Sequence, residues 1–166
     1  MEFGDEAFLL DLLNSTPIVE GVQQDVLDTA SAGRAWLRER GGTGSVAEWG
    51  AVREVRDALQ DVVRGQRAPR SLAPFLAKVS SRPSMSDDGV DWRLDAPADR
   101  ATAARAVLAW DAVQRTRPGR LRPCANPECA RFLIDHGKPN QARWCSMAIC
   151  GNRMKARRHY ERTRRS

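Results

Sequence analysis

All four cysteines of this 166-residue chain lie beyond residue 123, spaced as Cys124-x4-Cys129, fifteen residues, then Cys145-x4-Cys150. Two close pairs separated by the length of a hairpin are what a tetrahedral four-thiolate site requires. Each pair closes a small loop, and the chain between them brings the pairs together. A segment this polar has too little apolar area to fold without a staple, so the spacing predicts a structural zinc ion held by Cys124, Cys129, Cys145 and Cys150. Four free or disulfide-bonded thiols are the competing reading. In a reducing compartment a cluster of this kind reads as a metal site first. With four cysteines at hand, His136 and His159 are not needed as ligands.

Cys145 and Cys150 would differ by about 140° on a continuous helix. The spacing therefore places Cys145 before a helix and Cys150 in its first turn. Between the pairs, Arg131-Phe132-Leu133-Ile134 and Gln141-Ala142-Arg143-Trp144 flank Asp135-His136-Gly137-Lys138-Pro139-Asn140, which reads as two strands and a turn. Knuckle, hairpin and ligand-bearing helix in that order make a treble-clef-like finger.

Charge divides the chain at the same place. Residues 1–116 hold 14 basic and 18 acidic side chains, whereas residues 117–166 hold 13 basic and 3 acidic ones. An acidic body thus carries a basic tail, and the tail is suited to a polyanion. On a helical wheel for the last helix, Ala148, Ile149, Asn152, Ala156, Tyr160 and Thr163 fall on one side, which would suit packing against Phe132, Ile134 and Trp144. Arg153, Arg157 and Arg164 form one basic row, and Lys155, Arg158, Arg162 and Arg165 form another. Charge runs are often only solvated surface. This one sits on a metal-stapled module almost without acids, which favours nucleic-acid binding by those seven residues. Arg153 and Arg157, nearer Cys150 on the wheel, could also neutralise the thiolates.

The body reads as mainly helical. Glu6 to Asn14 is apolar nearly all round, as a short central helix would be, and Pro17 follows it. Asp28 can cap a second helix to Arg40, with Trp36 and Leu37 inward and Gly41-Gly42 ending it. Ser45 and Glu48 form a capping-box pair ahead of Val46, Trp49, Val52, Val55, Leu59, Val62 and Val63, apolar residues at steps of three and four. Ser71 to Ser80 reads as a shorter helix with Pro74 in its first turn, and Arg82 to Asp95 as a hairpin turning at Asp87-Asp88-Gly89. Pro97 opens a last helix with Ala103, Val107, Trp110 and Val113 on one face, closed by Arg117-Pro118-Gly119. The expected fold is therefore mainly α: a helical domain over 1–116 with one small hairpin, able to fold alone, then a four-cysteine finger over 117–166. Trp36, Trp49, Trp92 and Trp110 could line a pocket, but large aromatics at such spacing are usually core residues.

The stretch Arg143-Trp144-Cys145-Ser146-Met147-Ala148-Ile149-Cys150-Gly151-Asn152-Arg153-Met154-Lys155-Ala156-Arg157-Arg158-His159, preceded by Cys124-Ala-Asn-Pro-Glu-Cys129, resembles the CGNR zinc finger, named for the residues here at Cys150 to Arg153. The body is similar, more loosely, to the ABATE domain that precedes this finger in bacterial proteins described as stress-induced transcription regulators. Its Leu10-Asp11-Leu12-Leu13-Asn14-Ser15 resembles that domain's opening motif, in which Thr usually stands where Ser15 is. The resemblance implies DNA binding by the finger, an effector-sensing or structural role for the body, and Asn14 as a ligand contact.

The leading reading is therefore a bacterial DNA-binding transcription regulator whose body senses a small molecule or mediates homodimerisation. An RNA-binding protein using the same helix is the first alternative. Single-strand RNA modules display several stacking aromatics, and here the basic helix offers only Tyr160 besides His159. An enzyme with its site in the body is the second, disfavoured because residues 1–116 contain no His and no Cys and a closed four-cysteine site leaves no position for water. No catalytic residue is assigned. No apolar run approaches the roughly 20 residues of a membrane span, and the opening Met1-Glu2-Phe3-Gly4-Asp5-Glu6 is acidic where a secretory signal would be positive, so the expectation is cytoplasmic.

Overall fold

Asp5 accepts a hydrogen bond from the Phe8 backbone N–H at 3.0 Å and so starts helix α1, Glu6–Leu13, whose Leu9, Leu12 and Leu13 are fully buried. The structure, a computed structural model, describes residues 5–164. A two-residue ribbon, β1 (Ile18–Val19) with β2 (Val22–Gln23), follows; it turns through Glu20 and Gly21, both at positive φ, and is too short to show alternation in the sequence.

Thr29, one residue beyond the expected cap, starts α2 (Ala30–Glu39), and Ser45 starts α3 (Val46–Val63) as its capping pattern predicts. A Cβ at Gly33 of α2 would lie 2.3 Å from the Trp49 ring. Glycine there lets the α3 indole cross α2 and donate its Nε1–H to Leu27 O at 2.8 Å. Helix α4 (Ala101–Thr116) buries Ala103, Ala104, Ala106 and Ala109, small residues that allow close approach to α1 and α3. The segment expected as a helix from Ser71 to Ser80 is instead a 3-10 coil, Pro69–Leu76, ahead of a strand beginning at Ser80. Pro74 lies in its interior and removes the backbone donor that an α-turn there would use. Strands β3 (Ser80–Ser86) and β4 (Gly89–Asp95) form the expected hairpin around Asp87-Asp88. Its Trp92 is exposed, unlike the core residue expected from its size.

Glu48 does not close the capping box by bonding back to Ser45. Its buried carboxylate accepts from Thr102 Oγ1 at 2.6 Å, Thr43 Oγ1 at 2.6 Å and the Gly44 N–H at 2.8 Å, tying the start of α3 to that of α4. Burial alone would raise this carboxyl, but the three donors outweigh it and hold the group below its ordinary value. A carboxyl depressed on folding contributes stability that is complete above its unfolded value and is lost as pH falls through the folded one. Glu48→Gln is expected to cost about 1.5–3 kcal/mol at neutral pH in urea titrations and to flatten the loss of stability below about pH 4.5. A second pair, buried Arg56 with half-buried Asp25 at 2.6 and 2.9 Å, holds the β2–α2 loop against α3.

In the tail, β5 (Leu121–Pro123) pairs with β6 (Phe132–Ile134). This corrects the expected hairpin between 131–134 and 141–144. The loop after β6 is held by Asp135, which accepts from the Gly137 and Ala142 N–H groups, both at 2.8 Å. Residues 141–144 therefore join no sheet, and the Arg143 carbonyl accepts the Ala125 N–H at 2.8 Å. Phe132 and Ile134 belong to the same apolar cluster as Leu9, Leu12, Leu59 and Val113, so this hairpin is packed into the helical body.

Candidate metal centre and basic helix

The β5–β6 turn carries Cys124 and Cys129, and a one-turn π-helix, Met147–Gly151, carries Cys150. Ser146 caps that turn, and the Gly151 N–H reaches Ser146 O five residues back at 3.0 Å. Cys145 precedes the cap and Cys150 lies in the first turn, as their spacing predicts. Across this turn the Cys145 and Cys150 sulfurs lie 3.6 Å apart. Helix α5, Asn152–Thr163, continues from it.

The four sulfurs all lie within 4.8 Å of one another, with Cys129–Cys145 at 3.7 Å and Cys145–Cys150 at 3.6 Å. A tetrahedral metal–thiolate site with bonds of about 2.3 Å has sulfur–sulfur edges of about 3.8 Å, so these separations fit a metal and not a disulfide. Two N–H groups point at the cluster: Asn126 Nδ2 to Cys150 Sγ and the Cys145 backbone N–H to Cys124 Sγ, both at 3.4 Å. Burial, reinforced by neighbouring sulfurs, pushes the Cys129 and Cys145 thiols up. Burial also opposes ionisation of Cys150, but the Asn126 amide and the adjacent thiols outweigh it and hold Cys150 below its ordinary value. A bound cation relieves the remaining opposition to four thiolates in so small a space.

Asn126 was not singled out in the sequence. It is 1% exposed, and its Oδ1 accepts the Glu128 N–H at 3.1 Å while its amide N–H reaches sulfur. An Asn-Pro pair inside a knuckle is the signal that marks such a turn. Asn14, expected as a ligand contact, has both ends of its amide committed to the Phe132 backbone: Oδ1 accepts N–H at 2.7 Å and Nδ2 donates to the carbonyl at 3.2 Å. It therefore locks β6 onto the end of α1.

The predicted packing side of the last helix is open. No residue of α5 is buried, and Ile149 and Tyr160 are 52% and 73% exposed. Of the expected partners, Phe132 and Ile134 are taken by the body, while Trp144, half-buried, lies against Gly151 ahead of the helix, which leaves α5 standing out from the four-cysteine cluster. Arg153, Lys155, Arg157, Arg158, Arg162 and Arg164 are all exposed around it, and Arg165 lies outside the described residues. Arg157 pairs with Glu161 at 3.3 Å and with Glu128 of the knuckle at 3.5 Å, so it braces helix to knuckle without touching a sulfur. Arg153 borders a hollow with Glu128, Ile18, Glu20 and Gly21. No helix among the described residues is long and apolar enough to cross a membrane.

Residues 120–163 match the family model of the CGNR zinc finger, and residues 6–117 match the ABATE model, described as "Putative stress-induced transcription regulator". Among curated proteins none matches the chain.

Proposed function

Since the chain belongs to the ABATE family and ends in a CGNR zinc finger, we propose that it is a DNA-binding transcription regulator whose finger holds one zinc ion and lays α5 along duplex DNA. One observation carries the reading: a helix with no buried residue, bearing five Lys and Arg side chains and one acid, springs directly from a four-cysteine cluster. Zinc suits four thiolates at tetrahedral spacing, and bound there it fixes the origin and direction of the helix. Guanidinium groups match phosphate oxygens bidentately, and a helix basic over most of its circumference follows a backbone without reading bases. The reading of the body as a sensor is supported by a cleft of about 360 Å³ bordered by Arg40, Leu94, Thr102 and Arg105. Binding and regulation need no reacting group, and we assign the protein no catalytic step.

Lys155→Ala and Arg158→Ala are each expected to lower duplex affinity without changing sequence preference. Each should also reduce the slope of log K against log salt by about 0.9. Fluorescence anisotropy on duplex DNA over a salt series, with metal content verified in each variant, measures this. Unchanged slopes would remove α5 from the interface, and tighter binding to single-stranded RNA than to the duplex would favour the RNA reading.

A further inference from the structure

The β3–β4 ribbon stands out from the body with none of its residues buried. A two-stranded hairpin alone in water is marginal and gains stability from further strands or a covering layer. Its register places Ser81 opposite Leu94, Pro83 opposite Trp92, and Met85 opposite Val90, so one face is apolar; Met85, Val90 and Trp92 are 79%, 55% and 45% exposed. The other face carries Arg82, Ser84, Asp91 and Arg93.

The two edges differ. Counting from the pair Ser86–Gly89 that closes the two-residue turn, the residues exchanging backbone hydrogen bonds within the ribbon are the even-numbered ones of β3 and the odd-numbered ones of β4. Pro83 therefore falls where β3 would offer an outward N–H, and it blocks that edge. On β4 the outward groups belong to Val90, Trp92 and Leu94, and all three are intact.

The segment exposed on that edge, Val90-Asp91-Trp92-Arg93-Leu94, is a chemical palindrome. Two copies laid antiparallel about Trp92 set the outward-facing residues against each other: Val90 against Leu94 of the partner subunit, and Trp92 against the partner's Trp92. The same register sets Asp91 against Arg93 twice, by symmetry. A slide of one residue sets outward-facing groups against inward-facing ones, and a slide of two brings Asp91 onto Asp91 or Arg93 onto Arg93, so charge selects the central register. Within one chain Arg93 faces Arg82, which is already paired with Asp95 at 2.7 Å. Among the described residues neither Asp91 nor Arg93 has an ion-pair partner of its own. We propose that the ribbon is a homodimerisation element: two copies join their β4 edges antiparallel about Trp92 into one four-stranded sheet. This goes beyond the proposed function and is independent of what the finger binds.

Sedimentation of the full, metal-loaded chain without nucleic acid tests it over a concentration series. The chain should show a monomer–dimer equilibrium. Asp91→Arg or Arg93→Asp alone should weaken it about tenfold or more, since each change turns two attractive cross-strand pairs repulsive. The double exchange, Asp91→Arg with Arg93→Asp, should restore self-association to within about threefold. It should not mix with the unaltered chain, because the mixed dimer opposes like charges. Circular dichroism checks that each variant keeps its helices. A chain that stays monomeric at its highest soluble concentration overturns the proposal, as does a dimer indifferent to both single changes or unrescued by the exchange. Because no DNA is present, each of these results is separate from the fate of the DNA-binding reading.

Discussion

Cys124→Ser is expected to take the metal content from about one zinc per chain to near none and to melt α5. Cys124 is buried, its sulfur accepts the Cys145 N–H, and a serine hydroxyl is a poor ligand for a site built of thiolates. Helix α5 has twelve residues and no buried side chain, so packing contributes almost nothing to its helicity. An isolated helix of that length is marginal in water, and its five Lys and Arg charges weaken it further. Its order therefore depends on the π-turn and cap at residues 146–151, which in turn depend on Cys145 and Cys150 sharing a metal. Metal analysis should show the loss, far-ultraviolet circular dichroism should fall by the share due to α5, and amide exchange should rise beyond residue 145 first. The helices of the body should keep most of their signal. A chelator applied to the unaltered protein should reproduce every change. Full zinc retention by the variant would take Cys124 out of the ligand set.

The four-cysteine cluster was legible because it is local: two Cys-x4-Cys loops and a helix start are specified within 27 residues, Cys124 to Cys150. The cap at Ser45 and the Asp87-Asp88 turn were legible for the same reason, since each is a few residues whose side chains act on neighbouring backbone. What escaped were partnerships at long range. Leu121-Arg122-Pro123 is too short to show alternation, so nothing local marks it as the partner of Phe132–Ile134. The last helix has an apolar face on a wheel, yet two of the residues expected to cover it, Phe132 and Ile134, are enclosed by the body. Asn14 stands out at the end of a helix rich in leucine, but its partner is 118 positions away. Reading it as a ligand contact and as a structural clamp were equally compatible with its sequence.

That clamp sets up the other large effect. Phe132→Ala is expected to destabilise the whole chain by about 3–5 kcal/mol, and not the finger alone. Phe132 is 1% exposed within the body's cluster, the Arg64 guanidinium lies 4.7 Å from the centre of its ring, and Asn14 holds its backbone at both ends. Truncating the ring leaves a cavity lined by α1 and α3, helices that cannot collapse into it without leaving α4. A single cooperative urea transition, shifted to lower midpoint with its slope unchanged, is the expected signature. Asn14→Ala should give a smaller loss of the same kind, about 1–3 kcal/mol, because it leaves the Phe132 N–H and carbonyl without partners. By the same packing, a fragment ending at residue 116 lacks Leu121, Phe132 and Ile134 from its core. It should melt well below a fragment carried through the β5–β6 hairpin. Equal midpoints for the two fragments would show that the body closes its core without the finger, and would make the family boundary near residue 117 a folding boundary as well.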